Sequence, residues 1–222
     1  MTTTLIRDDI DRLAAIVERP NPVRRRRFQC AMAGLAAAGA LFVLGTATMS
    51  NADYSERYVT DQLARQKITF KAAAALTEAE REHPCVVANA GKPLTTGKQA
   101  ECYANDFIGT HIVGIGKGKT YAELEEVRTG LLAKIAAAQA SGDPELPNLQ
   151  NQLGDLTGQR EAMFKAETLR GILLTSFGFS TLGEKAAEGA TAAYAGAGLV
   201  LALSLGAMVQ AARTPRTVVD WP

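Results

Sequence analysis

Two stretches of the chain hold no charged side chain. Phe28 to Met49 is 22 residues long, with the thiol of Cys30 its one ionisable group, and Gly189 to Ala212 is 24 residues long, with only the phenol of Tyr194. A helix rises 1.5 Å per residue, so about 20 residues cross the hydrocarbon core of a bilayer. The pattern predicts two transmembrane helices, at 28–49 and 187–212. Both are rich in Ala and Gly rather than Leu and Ile, which makes each a moderate signal. The competing reading is a soluble, alanine-rich protein with two buried core helices, which seldom run so far without a charge.

Between these stretches the apolar positions recur at helical spacing. Tyr58, Val59, Leu63 and Gln66 continue the first span as a helix, which Lys67 to Phe70 leave. Thr77 with Glu80 has the spacing of a capping box, and His83-Pro84-Cys85 stops the short helix that follows. Gly91 to Leu94 is a turn. From Thr96 a helix is expected through residue 111, with Ala100, Ala104, Phe107, Ile108 and His111 on one face. Thr120 with Glu123 is another capping box, opening a helix striped by Leu124, Val127, Leu131 and Ile135. Ser141 to Pro144 turns the chain into a second arm carrying Leu149, Leu153, Leu156 and Met163, so 121–165 is predicted as an antiparallel helical hairpin. Gly154 and Gly158 weaken that arm and suggest close packing. No alternating run is long enough to predict a strand.

Residues 169–183 form a separate expectation. The part from Gly171 to Gly183 is uncharged and 13 residues long, too short to span, and its aromatic residues suit a headgroup-level interfacial segment. A boundary of the second span drawn earlier, with Glu184, Lys185 and Glu188 dipping toward a partner, is the alternative. At the other end, residues 1–27 are expected as a cytoplasmic amphipathic segment. Ile6, Ile10, Leu13 and Val17 make one helical face over 4–19, and a frayed solvated tail competes with that reading.

Charge then orients the spans. The formal net charge is +1, which gives nucleic acid no electrostatic footing. It is unevenly spread: residues 1–27 carry seven Arg against four acids, and residues 50–186 carry fifteen basic and seventeen acidic residues. Arg24, Arg25, Arg26 and Arg27 abut the first apolar stretch, and Arg213 and Arg216 follow the second. Positive flanks stay cytoplasmic. Both ends, including the tail 213–222, are therefore expected in the cytoplasm of a bacterial cell, with 50–186 outside the inner membrane. Arg25-Arg26-Arg27-Phe28 also has the look of a twin-arginine export signal, with Ser50-Asn51-Ala52 as a cleavage site; the long leader favours a retained anchor.

Candidate chemistry is sparse. Cys85 and Cys102, 17 positions apart in a segment placed in an oxidising compartment, are expected to form a disulfide worth about 3 kcal/mol. Gly114 to Thr120 reads GIGKGKT, close to a phosphate-cradling loop. It is one residue short of GxxxxGK[ST], follows a helix rather than a strand and lies outside, so no nucleotide partner is expected. With two histidines in the chain and no paired carboxylates or Ser-His arrangement, no catalytic, cofactor or metal site is expected. Tyr103, Phe107 and His111 are candidates for a ligand or interface cluster. Small residues at four-residue intervals, Gly34 with Ala38 and Gly198 with Ala202 and Gly206, are candidates for close helix packing.

A set of motifs carries a resemblance. Tyr58-Val59, Gln62-Leu63, Gln66, Ile68 and Phe70 come first, then Ala90-Gly91, Thr96-Gly97-x-Gln99-Ala100-x-x-Tyr103-Ala104 and Phe107-Ile108-x-x-His111. Gly118-Lys119-Thr120-Tyr121 and Glu167 to Gly171 complete the set. Over roughly residues 28–212 the chain resembles a family of uncharacterised actinobacterial membrane proteins with two spans and an external helical domain. It departs from that pattern in carrying Cys85 and Cys102 and in a more polar start to the second span. Some relatives bear the transferred label aromatic ring-opening dioxygenase, whose iron site needs two His and a carboxylate converging; the residues here do not support it.

The resulting expectation is an all-α protein: two transmembrane helices and an extracytoplasmic helical domain containing an antiparallel hairpin. Its partners are the lipid bilayer and other membrane proteins, and its role is that of a non-enzymatic accessory or scaffold subunit of an envelope complex. An envelope sensor or small-ligand module is the runner-up, and an enzyme the third reading.

Overall fold

The computed structural model describes residues 17–220. In order come strand β1 (Val17–Pro20), helix α1 (Pro22–Gln66), a 3-10 turn (Ala73–Ala75), α2 (Glu78–Arg81), α3 (Pro84–Asn89), α4 (Gly97–Cys102), a π-helical segment (Tyr103–Ile108), α5 (Gly109–Gly116), α6 (Tyr121–Ser141), α7 (Leu146–Arg213) and strand β2 (Thr217–Asp220). The protein is mostly helical, with two long apolar helices. Two compact units divide it, one holding the chain up to Asn51 and from Ala186 onward, the other Ala52–Lys185.

In the first unit, β1 pairs antiparallel with β2, Pro20 opposite Thr217 and Val17 opposite Asp220. No strand was expected here. Four residues are too few to register as alternation, and only pairing with a distant segment stabilises them. The helix expected over 4–19 lies mostly outside the described residues, and its end, Val17–Pro20, is β1. Pro22 then opens α1, where its missing N–H costs nothing. Asn21 Oδ1 caps the helix by accepting from the backbone N–H of Val23 at 3.0 Å.

The α1 and α7 halves in this unit meet through small residues at seven-residue steps. Ala31 and Ala38 are buried on α1, and Ala190, Ala197, Ser204 and Ala211 on α7. An added Cβ at Gly34 would fall 2.1 Å from Ser204 Oγ, and one at Gly45 would fall 2.9 Å from the Tyr194 ring. Gly34 and Ala38 thus sit on the packed face. Gly198 and Gly206 do not face a neighbour within 4 Å, and Ala202 is exposed. The packed series on α7 is the heptad one rather than the four-residue one. Of the flanking arginines, Arg24 Nε donates to the Ala211 carbonyl at 3.2 Å and Arg27 to Thr214 Oγ1 at 2.9 Å, while Arg26 and Arg213 are exposed.

The second unit has the apolar core: Val59 and Leu63 of α1, Phe70, Val86, Leu94, Ile108, then Leu131 and Ile135 of α6 and Leu156, Met163 and Leu173 of α7. Each such burial is worth about 1.5–3 kcal/mol. Lys67, at φ 54°, breaks α1, and Thr69 bridges to Pro93. Pro84 does not merely end the preceding helix; it opens α3 from its first turn. Capping boxes at Thr77, Thr96 and Thr120 start α2, α4 and α6, and Gly142, at φ 68°, ends α6. The arms α6 and α7 are joined by Arg160 to Glu125 and by Tyr121 against Phe164 at 6.2 Å. Gly154 and Gly158 face open space, so they mark no close packing.

The second hairpin arm, the expected interfacial segment 169–183 and the second apolar stretch are one helix, α7. No proline interrupts it after Pro147, and glycine lowers helix stability by only about 1 kcal/mol, too little to break it. The 169–183 part buries Leu173 in the core while Ile172, Phe179 and Leu182 stay exposed.

Candidate functional site

The unit Ala52–Lys185 brings its titratable and aromatic side chains together around the π-helical segment. A π turn inserts an extra residue into a helix and often marks a functional position. Here it divides the face expected through 100–111: Ala100, Ala104 and Ile108 are buried in the core, whereas Phe107 and His111 are not. Tyr103, Phe107 and His111 go to one cluster, Asp106 and Thr110 to another.

The first cluster surrounds Glu80. The capping box places this carboxylate at the third position of α2, where Oε2 accepts from the Thr77 N–H at 2.8 Å. Oε1 accepts from Lys71 Nζ at 2.6 Å and lies 3.4 Å from His111 Nε2. The side chain is 1% exposed. Burial pushes its carboxyl pKa up, but the Lys71 and Thr77 hydrogen bonds outweigh this and hold it below the ordinary 4.5. The rings form a column: Phe70 edge-on to Tyr103 at 5.0 Å, Tyr103 to Phe107 at 4.6 Å, Phe107 to His111 at 4.6 Å. Lys71 Nζ sits 5.2 Å over the Phe107 ring. Burial and the Glu80 charge raise the Tyr103 phenol above 10.0. His111 Nδ1 donates to the Phe107 carbonyl at 2.7 Å, so Nε2 can donate to Glu80 only when the ring carries both protons.

The second cluster is the disulfide corner. Cys85 of α3 and Cys102 of α4 are joined, with Cα atoms 6.0 Å apart. Asp106 Oδ2 lies 2.8 Å from Cys85 Sγ, a sulfur–oxygen contact rather than a hydrogen bond, since the bonded sulfur has no proton. Asp106 Oδ1 is 3.3 Å from His83 Nδ1, and His83 Nε2 is 3.1 Å from Thr110 Oγ1. Carboxylate, imidazole and hydroxyl follow the order of a hydrolytic triad. The Thr110 hydroxyl, however, gives its proton to the Asp106 carbonyl at 2.6 Å, not to the imidazole. It also sits within a helix, whose own N–H groups are committed to the backbone. Cys85, Cys102 and Asp106 are close enough to share an ion, but bonded sulfurs lack the thiolate character that ligation needs. An open groove of about 540 Å³ runs alongside, edged by Asn89, Lys98, Glu101 and Asn105.

The two histidines therefore take different carboxylates, His83 with Asp106 and His111 with Glu80. They do not converge as a two-histidine iron site would. The rings of Tyr103, Phe107 and His111 come together, but they fill the space with one another. The GIGKGKT stretch ends α5 and turns through Lys117 at φ 52° and Gly118 at φ 79° before α6, with no strand before it. Sequence reasoning passed over Lys71, Asp106 and Thr110, and saw Glu80 only as a cap. The one available signal was Asp106 four positions after Cys102. Compared with known proteins, the chain matches no family model, no curated protein and no solved structure.

Proposed function

We propose that this chain is a two-span protein of the bacterial inner membrane, of the actinobacterial kind its motifs resemble, with both ends cytoplasmic and 50–186 outside. Its role is that of a non-enzymatic accessory or scaffold subunit of an envelope assembly. One observation carries the membrane reading: the most apolar windows of α1 and α7 have mean hydropathies of 1.9 and 1.8, yet only 17% and 11% of them is buried. Phe42, Val43 and Leu44 on one helix and Leu199, Leu203 and Val209 on the other point outward. A soluble core helix hides such side chains; these need an apolar solvent.

The accessory reading is supported by a second exposed apolar stripe, Phe164, Ile172, Phe179 and Leu182, on the α7 part of the other unit. These positions fall on one helix face and leave a surface suited to a partner helix. Co-purification tests it. With a C-terminal tag and extraction from native membranes in mild detergent, a near-stoichiometric partner set is expected. A lone 23.5 kDa species would count against a subunit role.

A further inference from the structure

In the unit formed by the two chain ends, a cavity of about 480 Å³ opens where α1 begins and α7 finishes. Arg24, Arg25 and Arg216 line it together with Phe28, Met208 and Ala211. Arg24 is committed through Nε to the Ala211 carbonyl. The side chains of Arg25 and Arg216 meet no partner among the described residues. No acidic residue lies between Glu18 and Asp53 or between Glu188 and Asp220, so neither apolar stretch carries a negative charge of its own. The cavity therefore joins a guanidinium rim to an apolar wall.

That combination selects its occupant. A free phosphate would satisfy the arginines but leave Phe28, Met208 and Ala211 unused. A zwitterionic lipid brings its own ammonium to the phosphate. An anionic phospholipid offers a net negative phosphodiester attached to hydrocarbon, matching both surfaces. Arg24 and Arg25 directly precede the first uncharged run and Arg216 follows the second, which puts the guanidinium groups at headgroup level once the apolar helices are in a bilayer. We infer that this cavity is a binding site for one anionic phospholipid, held by Arg25 and Arg216 through its phosphate and by Phe28 and Met208 along its acyl chain. The inference rests on the membrane reading above.

The test has two stages. Alkaline carbonate washing of membranes from cells making the full chain comes first; release into the wash overturns the membrane reading, and the lipid site with it. The retained protein is then purified in mild non-ionic detergent, equilibrated with equal phosphatidylglycerol and phosphatidylcholine, and weighed by native mass spectrometry. One phosphatidylglycerol should be kept in preference to phosphatidylcholine by at least about fivefold, the equivalent of about 1 kcal/mol for a basic residue near the surface. The double variant R25A/R216A should lose that preference, and R25K/R216K should keep part of it. Millimolar inorganic phosphate should not displace the lipid. Equal retention of the two lipids by the unmodified protein, or displacement by phosphate, would overturn the lipid site and leave the membrane reading standing. The lipid comparison on unmodified protein decides the matter even where the alanine variant does not fold.

Discussion

At the scale of single residues, Glu80 carries the clearest consequence. Its carboxyl is held below 4.5 in the folded protein, so the unfolded chain binds the proton more readily. The stabilisation is therefore complete above about pH 4.5 and lost as pH falls through the folded value. A helical signal followed by circular dichroism should show an acid transition in that window. Glu80→Gln should flatten it and lower stability by about 1–3 kcal/mol, because the amide offers one acceptor oxygen where the carboxylate offers two and Lys71 loses its ion pair. Gly97 gives a steric counterpart. A Cβ there would stand 2.3 Å from Ser180 Cβ, so Gly97→Ala should cost about 1–3 kcal/mol by thermal melting, whereas Gly114→Ala, facing open space, should cost nothing. Neither site announced itself in the sequence. Glu80 was legible as a cap because capping is local. Its bonds to Lys71 and His111 depend on segments nine and thirty-one positions away.

Among the elements, local signals were read well and interruptions of phase were not. The capping boxes at Thr77 and Thr120 and the turn at Gly142 follow from residues within four positions of one another. The π segment does not. It adds one residue to a turn, so every apolar position after Tyr103 is rotated from where a regular helix would put it, and the face drawn through 100–111 divides in two. The length of α7 was missed for the opposite reason. Changes in polarity along it looked like boundaries, but nothing in the backbone ends the helix. The disulfide binds α3 to α4 beside this segment. Replacing both Cys85 and Cys102 by serine should lower stability by about 3 kcal/mol, measured as a shift in Tm, and reductant should reproduce the shift in the unmodified protein.

For the whole molecule, the apolar helices and the arginines around them were legible because twenty uncharged residues in a row leave few alternatives. The strand pair joining the two chain ends was not, since each four-residue strand exists only through the other. The proposed topology makes a direct prediction. With Cys30 replaced by serine, a cysteine introduced at Ser141 should react with a membrane-impermeant maleimide in intact cells, and one introduced at Thr214 only after lysis. The reverse pattern would invert the protein in the membrane.

The seven-residue spacing of Ala31 and Ala38 against Ala190, Ala197, Ser204 and Ala211 has a further consequence. A zipper with identical teeth can close in more than one place. Moving one helix by a single repeat would set alanine against alanine again, at little loss of contact. Two unequal teeth prevent it: Tyr194 fits the gap left by Gly45, and Ser204 the gap left by Gly34. A slip of one repeat would push the Tyr194 ring toward Ala38, where a methyl group already stands. The two glycines thus act as keyholes that choose one alignment from several. Filling both should produce mixed alignments rather than a simple loss of pairing.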